Sequence, residues 1–227
     1  MKLIIFDLDD TLFPSSELAT KSRKNACQAI VDKGLNDTKE NVYEKLMIIV
    51  KKFGSNSRDH FNELIMQYNV DFPGKYIATA VKAYHETKAK ELKIFDGVYE
   101  ILKDLKEKGY ILILMTNGPL VKQWDKIERL KLDETFKDYF VSDNQNQSIT
   151  KDIIFGHILS KYNVEAKDAL VIGDRLDTDI ISANKLNIKN IRILQGKYAN
   201  LMPKCKEEEP SYTVNHISEI VKLPILQ

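Results

Sequence analysis

Apolar and polar positions follow two regimes along this chain. Leu3-Ile4-Ile5-Phe6 is an unbroken apolar run ended by Asp7, which predicts a short strand buried on both faces. From Ser15 to about Leu92 the apolar residues recur at helical spacing instead. A helix from about Glu17 to Lys33 closes at Gly34. Asp37 with Glu40 reads as a capping box ahead of Val42, Leu46, Ile49, Val50 and Phe53, a stripe stopped at Gly54. Ser57 can cap a third helix carrying Phe61, Leu64, Ile65 and Tyr68. Pro73 starts a fourth, with Ile77, Ala80, Val81 and Tyr84 on one side. Four short helices with short loops predict a small bundle.

Beyond Gly97 strands and helices alternate. A helix with Val98, Ile101, Leu102 and Leu105 leads to a strand from Tyr110 to Met115, then a helix from Pro119 on which Leu120, Trp124 and Ile127 form an apolar stripe. A strand near Phe140-Val141, a helix with Ile154, Phe155, Ile158 and Leu159, and a strand from Ala169 to Ile172 follow. A helix from about Asp179, a strand from Asn190 to Leu194 and an edge strand near Tyr212 to Val214 complete the series. Such alternation predicts an α/β, Rossmann-like parallel sheet with right-handed crossovers. The expected organisation is a core of residues 1–14 and 93–227 carrying a helical bundle, 15–92, inserted after strand 1.

Composition narrows the partners. The 227 residues are 43% hydrophobic and 30% charged, ordinary for a globular chain. Lys plus Arg is 34 against 33 for Asp plus Glu, so no charge surplus exists to track nucleic acid or an anionic membrane. Apolar runs such as Ile111–Met115 fall far short of the roughly 20 residues that span a bilayer. Met1-Lys2 leads directly into a strand, so no signal peptide is expected and the location expected is cytoplasmic. Cys27 and Cys205 are too few for a disulfide scaffold and wrongly spaced for zinc. For oligomeric state the expectation is a monomer or weak dimer.

In open parallel sheets ligands bind beyond the carboxyl ends of the strands. Those ends carry Asp7, Asp9 and Thr11, then Thr116 and Asn117, then Asp174 to Asp179. Residues i and i+2 of extended chain face the same way, about 6.6 Å apart. That suits one carboxylate attacking a centre while the other reaches the group that leaves. An ordinary carboxylate is ionised at neutral pH and needs no base to act as a nucleophile. Thr116-Asn117-Gly118-Pro119 turns a strand into a helix start, where free amides favour an anion. Asp174 beside Asp7, with Asp179 nearby, offers hard oxygen ligands of the kind Mg²⁺ takes; helix capping is the alternative for Asp179 and the preferred reading of Asp177.

Phe6-Asp7-Leu8-Asp9-Asp10-Thr11-Leu12, Thr116-Asn117-Gly118 and Gly173-Asp174-Arg175-Leu176-Asp177-Thr178-Asp179-Ile180 resemble, in order, motifs one, two and four of the haloacid dehalogenase (HAD) superfamily. The helical insertion resembles its C1 cap domain. Gly54-Ser55-Asn56, Lys122-Gln123-Trp124 and Gly196-Lys197-Tyr198 are similar to stretches in an archaeal branch of phosphatases for glyceraldehyde 3-phosphate.

The resemblance implies a Mg²⁺-dependent phosphatase for a small phosphorylated metabolite, with glyceraldehyde 3-phosphate as the candidate substrate. Asp7 would attack phosphorus to give an aspartyl-phosphate, and Asp9 would serve as acid and then base. Thr116, Asn117 and Lys151 would hold phosphate; Asp7, the Asp9 carbonyl, Asp174 and Asp179 would hold the metal. Related phosphatases place their motif-three lysine before a proline and further ahead of the following helix. Lys151 precedes Asp152 and stands close to Phe155, but it is the lysine on this loop, and the site needs a cation. Substrate contacts are expected from the cap, at Ser55, Asn56 and His85, with Arg58, His60 and Lys88 as further candidates.

Same-scaffold alternatives are a phosphotransferase or mutase, a 5'-nucleotidase or a phosphoglycolate phosphatase. A dehalogenase has no use for Asp9 or Asp174. A receiver-like phospho-switch or a non-catalytic binding module are the alternatives of another class. Receiver domains are shorter, lack a cap, and would be ill served by a +2 carboxylate placed to promote hydrolysis.

Overall fold

The structure is a computed structural model that describes residues 2–143 and 149–226. The chain divides into two compact units, Met1–Ser16 with Lys93–Gln227, and Glu17–Leu92.

The first unit is built on β1 (Leu3–Phe6), β2 (Ile111–Asn117), β3 (Asp138–Ser142), β4 (Ala169–Gly173), β5 (Lys189–Ile193) and β6 (Tyr212–Val214). They form one sheet in the order β3-β2-β1-β4-β5-β6, with every pairing parallel. This is a doubly wound, Rossmann-like α/β arrangement. β1 lies in the middle, with Ile5 opposite Ile113 on one side and Val171 on the other. A strand flanked on both edges and both faces must be apolar throughout, which is why four consecutive buried residues precede Asp7. The side chains alternate between faces: Leu3 and Ile5 join Ile113, Met115, Ala169, Val171, Phe155 and Ile158 in one core.

The second unit holds most of α1 (Ser15–Asp32), with α2 (Lys39–Phe53), α3 (His60–Ile65) and α4 (Pro73–Glu91). Its own core joins Ala26, Cys27 and Ile30 to Leu46, Ile49, Leu64, Ile65 and Ala80. Three local expectations are corrected here. Thr38, not Asp37, caps α2, accepting from the Asn41 amide at 3.2 Å. Asp37 is drawn away because its carboxylate accepts from Lys45 (3.0 Å) and Tyr68 (2.8 Å), which with Asn41 hold it well below the usual carboxylate range. Ser57 lies ahead of α3 and accepts from the Asp59 amide at 3.2 Å rather than capping the helix. Phe53, at the end of its stripe, and Val81 are exposed rather than buried.

The α/β unit continues with α5 (Val98–Glu107), α6 (Leu120–Arg129), α7 (Lys151–Tyr162) and α8 (Ile181–Lys185). A single π-helical turn, Leu176–Ile180, precedes α8, so the α-helix expected from about Asp179 begins two residues later, at Ile181. On α6 the buried stripe is Gln123, Ile127 and Leu130, whereas Leu120 and Trp124 are exposed. The expected Leu120–Trp124–Ile127 stripe is therefore rotated by about one position, and Trp124 lies tilted against Tyr139 instead. Among the described residues no helix is long and apolar enough to cross a membrane.

Candidate active site

β1 ends at Phe6, and the next residue, Asp7, still donates its amide to Ile172 on β4 at 2.9 Å. Its side chain thus emerges at the carboxyl edge of the sheet between β2 and β4. Asp10 bends the chain back: it adopts φ 57°, and its carboxylate accepts from the amide of Ser16 at 2.8 Å and from the Ser16 hydroxyl. The bend leaves Asp7 buried and Asp9 half-buried.

Asp7 meets residues from two other elements. Lys151, the first residue of α7, is only 6% exposed and places Nζ 2.6 Å from Asp7 Oδ1 and 2.5 Å from Asp179 Oδ1. Asp179 sits on the π-helical turn and is fixed by the Arg175 amide, 3.1 Å from Oδ2. Its carboxylate packs so closely on β4 that a Cβ at Gly173 would come within 2.5 Å of Asp179 Cγ. Asp174 completes the group: one oxygen each from Asp7, Asp174 and Asp179 lie within 4.8 Å of one another.

Three buried carboxylates and one ammonium carry a formal surplus of two negative charges. Burial pushes Asp7 up to about 7, with Asp179 and Asp9 adding repulsion that Lys151 partly offsets. Burial, with Asp179, Asp7 and Asp10, pushes Asp174 up to about 9. Burial disfavours the Lys151 charge, but Asp179 and Asp7 more than compensate and hold it above the ordinary lysine range. A chain of this composition at these three positions suits a hard divalent cation, whose charge would offset the surplus and whose preferred donors are carboxylate oxygens.

Asp9 faces another set of partners. Lys126 Nζ lies 2.7 Å from its Oδ1 and 2.8 Å from its Oδ2, and Gln123 Nε2 is 3.0 Å from Oδ2. Thr116, fully buried near the end of β2, accepts from the same Gln123 amide at 2.5 Å. Asn117 is the last residue of β2, and the Gly118 amide after it bonds to Ser142 of β3 at 2.9 Å. Asp177 is not a helix cap: it is exposed and takes both Nε (2.9 Å) and an Nη (2.8 Å) of Arg175. Ser55 and Asn56 occupy the exposed turn after α2, and His85 lies exposed on α4 with its ring edge-on to Tyr84, all in the helical unit.

Gln123 and Lys126 are site residues that the reading of strand ends missed. The signal was a polar residue inside an apolar helical stripe, since Gln123 stands at the i, i+4, i+7 positions with Ile127 and Leu130.

The family model for haloacid dehalogenase-like hydrolases matches residues 4–193. A Methanopyrus kandleri protein named glyceraldehyde 3-phosphate phosphatase is 35% identical over 223 residues, covering 97% of this chain and 96% of that protein. A Pyrococcus furiosus protein of the same name is 34% identical, with 98% and 92% covered. Among solved structures, a haloacid dehalogenase-like family hydrolase from Xanthomonas campestris superposes with a TM-score of 0.65 at 22% identity, over 96% of this chain and 88% of that one.

Proposed function

The chain belongs to the haloacid dehalogenase-like hydrolase family, and from that premise we propose that it is a Mg²⁺-dependent phosphomonoesterase of the cytoplasm acting on a small phosphorylated metabolite. Its named archaeal relatives make glyceraldehyde 3-phosphate the first substrate to try. The observation that carries the reading is the buried group of Asp7, Asp174, Asp179 and Lys151 at the carboxyl edge of the sheet.

Asp7 is the nucleophile. One of its oxygens attacks phosphorus, the bond to the substrate's ester oxygen breaks, and an aspartyl-phosphate forms. Asp9 delivers a proton to that departing oxygen, then removes one from the water that hydrolyses the intermediate. Lys151, the Thr116 hydroxyl and the Asn117 amide hold the phosphoryl oxygens. Asp7, Asp174, Asp179 and the Asp9 carbonyl would hold Mg²⁺, whose charge lets an anionic carboxylate approach an anionic phosphate.

A panel of triose phosphates, phosphoglycolate, sugar phosphates and nucleoside monophosphates, assayed with Mg²⁺, tests the reading. Glyceraldehyde 3-phosphate is expected to give the highest kcat/KM, Asp7→Asn to abolish turnover, and EDTA to inhibit reversibly. Turnover that survives Asp7→Asn rules out the covalent route.

A further inference from the structure

The chemistry above leaves two side chains of α6 without a part. Gln123 is 2% exposed, and Lys126 is largely covered. At positions i and i+3 they share a helix face, and that face meets the Asp9 carboxylate with three donor contacts between 2.7 and 3.0 Å. Gln123 also holds Thr116 through the same amide nitrogen, 2.5 Å from Oγ1, while its own Oε1 accepts from Lys126 Nζ at 2.6 Å. The carboxamide is seated against Gly118, where a Cβ would come within 3.1 Å of Gln123 Cδ.

We propose that Gln123 and Lys126 are positioning residues that set, as one unit, the carboxylate serving the leaving group and the hydroxyl serving phosphate. An amide nitrogen carries two hydrogens, one for each acceptor. A Thr116 oxygen that accepts from Gln123 turns its own hydrogen elsewhere, leaving it free to donate to a phosphoryl oxygen. Asp9, gripped through both oxygens, is held in a single orientation. A partly exposed ion pair contributes little to stability, whereas misplacing a reacting group by about 1 Å can cost about 10²-fold in rate. Orientation is therefore the larger consequence of this contact. The inference rests on the phosphomonoesterase reading and adds to it the residues that tie acid–base catalysis to phosphate binding.

Two substrates with different leaving groups test it. Glyceraldehyde 3-phosphate releases an alkoxide that needs a proton, while p-nitrophenyl phosphate releases a stabilised phenolate that does not. Lys126 also lies over the Phe13 ring, 5.6 Å from its centroid, so Lys126→Met is chosen to preserve bulk. Lys126→Met is expected to lower kcat/KM on the triose phosphate, which reports formation of the aspartyl-phosphate, by about 10²-fold, the lower range for loss of acid–base assistance. On p-nitrophenyl phosphate the loss of kcat/KM should stay within about tenfold, while kcat, which includes hydrolysis of the shared intermediate, falls on both substrates. In an Asp9→Asn background the same change should cost nothing further. Gln123→Leu should show the same split and, through Thr116, weaker inhibition by orthophosphate. Lys126→Arg should restore part of the rate. Equal losses of kcat/KM on both substrates, or losses that multiply with Asp9→Asn, would overturn the proposal. A wild-type protein that hydrolyses no phosphate monoester would instead remove the reading beneath it.

Discussion

Lys151 shows what one residue must reconcile. Its ammonium is buried between two carboxylates, so removing it leaves both Asp7 and Asp179 without their shared counter-ion. Breaking a buried ion pair from one side typically costs about 3–5 kcal/mol, and losing one donor to a reacting anion costs about 10²–10³ in kcat. Lys151→Ala is accordingly expected to unfold at lower urea and to lose kcat by about 10²-fold or more on p-nitrophenyl phosphate. Lys151→Arg should not rescue it, because a planar fork cannot replace a compact charge between two carboxylates. A Lys151→Ala enzyme with kcat within a few-fold of wild type would show that the phosphate is held without this lysine. The place of Lys151 beside Asp7 is legible only through need: its spacing and the Asp152 that follows depart from the family pattern, and what points to it is that anions at Asp7 require a cation. No such need points to Gln123 or Lys126. Nothing in their spacing from Asp9, more than a hundred residues away, reveals that α6 returns to it.

At the scale of elements, strand ends were readable and helix faces less so. A buried strand announces itself by four apolar residues and ends where polar chemistry begins, as at Phe6-Asp7 and Gly173-Asp174. Helix rotation is finer: on α6 one step of about 100° separates an exposed Trp124 from a buried Gln123. Capping is finer still, because Thr38 and Asp37 both could cap α2 and a distant tyrosine, Tyr68, decided between them. The junction of β4 and the π-helical turn carries a sharper consequence. Gly173 is required not for a left-handed backbone but because Asp179 occupies the space a Cβ would fill. Gly173→Ala should push the Asp179 carboxylate away from Lys151 and from the other two acids. The expected result is a Mg²⁺ requirement raised by about tenfold or more, since disturbing the groups that orient a metal site typically costs 10–100-fold in affinity. Activity titrated against Mg²⁺ measures it, and an unchanged half-saturating concentration would mean that Asp179 does not support the metal.

The whole molecule joins a helical unit with its own core to an α/β unit in which Asp7, Asp174 and Asp179 are buried together, and the two should respond differently to pH. A carboxyl group in an unfolded chain titrates near about 4. In the folded chain without metal, burial and mutual repulsion hold Asp7 up to about 7 and Asp174 up to about 9. The folded state then keeps protons that the unfolded state has already released, so its stability falls as pH rises from about 4 through those two values. The helical unit has the opposite kind of acid, Asp37, held low by Lys45 and Tyr68. Its contribution is complete above about pH 4 and is lost only as pH falls further. The single tryptophan, Trp124, reports on the α/β unit alone. Its fluorescence melt in EDTA should therefore move to lower temperature between pH 5 and pH 9. Saturating Mg²⁺, which binds the deprotonated acids, should reverse that fall at the alkaline end, by about 2.7 kcal/mol at a hundredfold excess over Kd. Asp174→Asn should flatten the pH trend and abolish the rescue together, because the same carboxyl group causes both. A melting temperature in EDTA that rises with pH would mean that these acids are already compensated inside the protein, and that the buried cluster has no need of a cation.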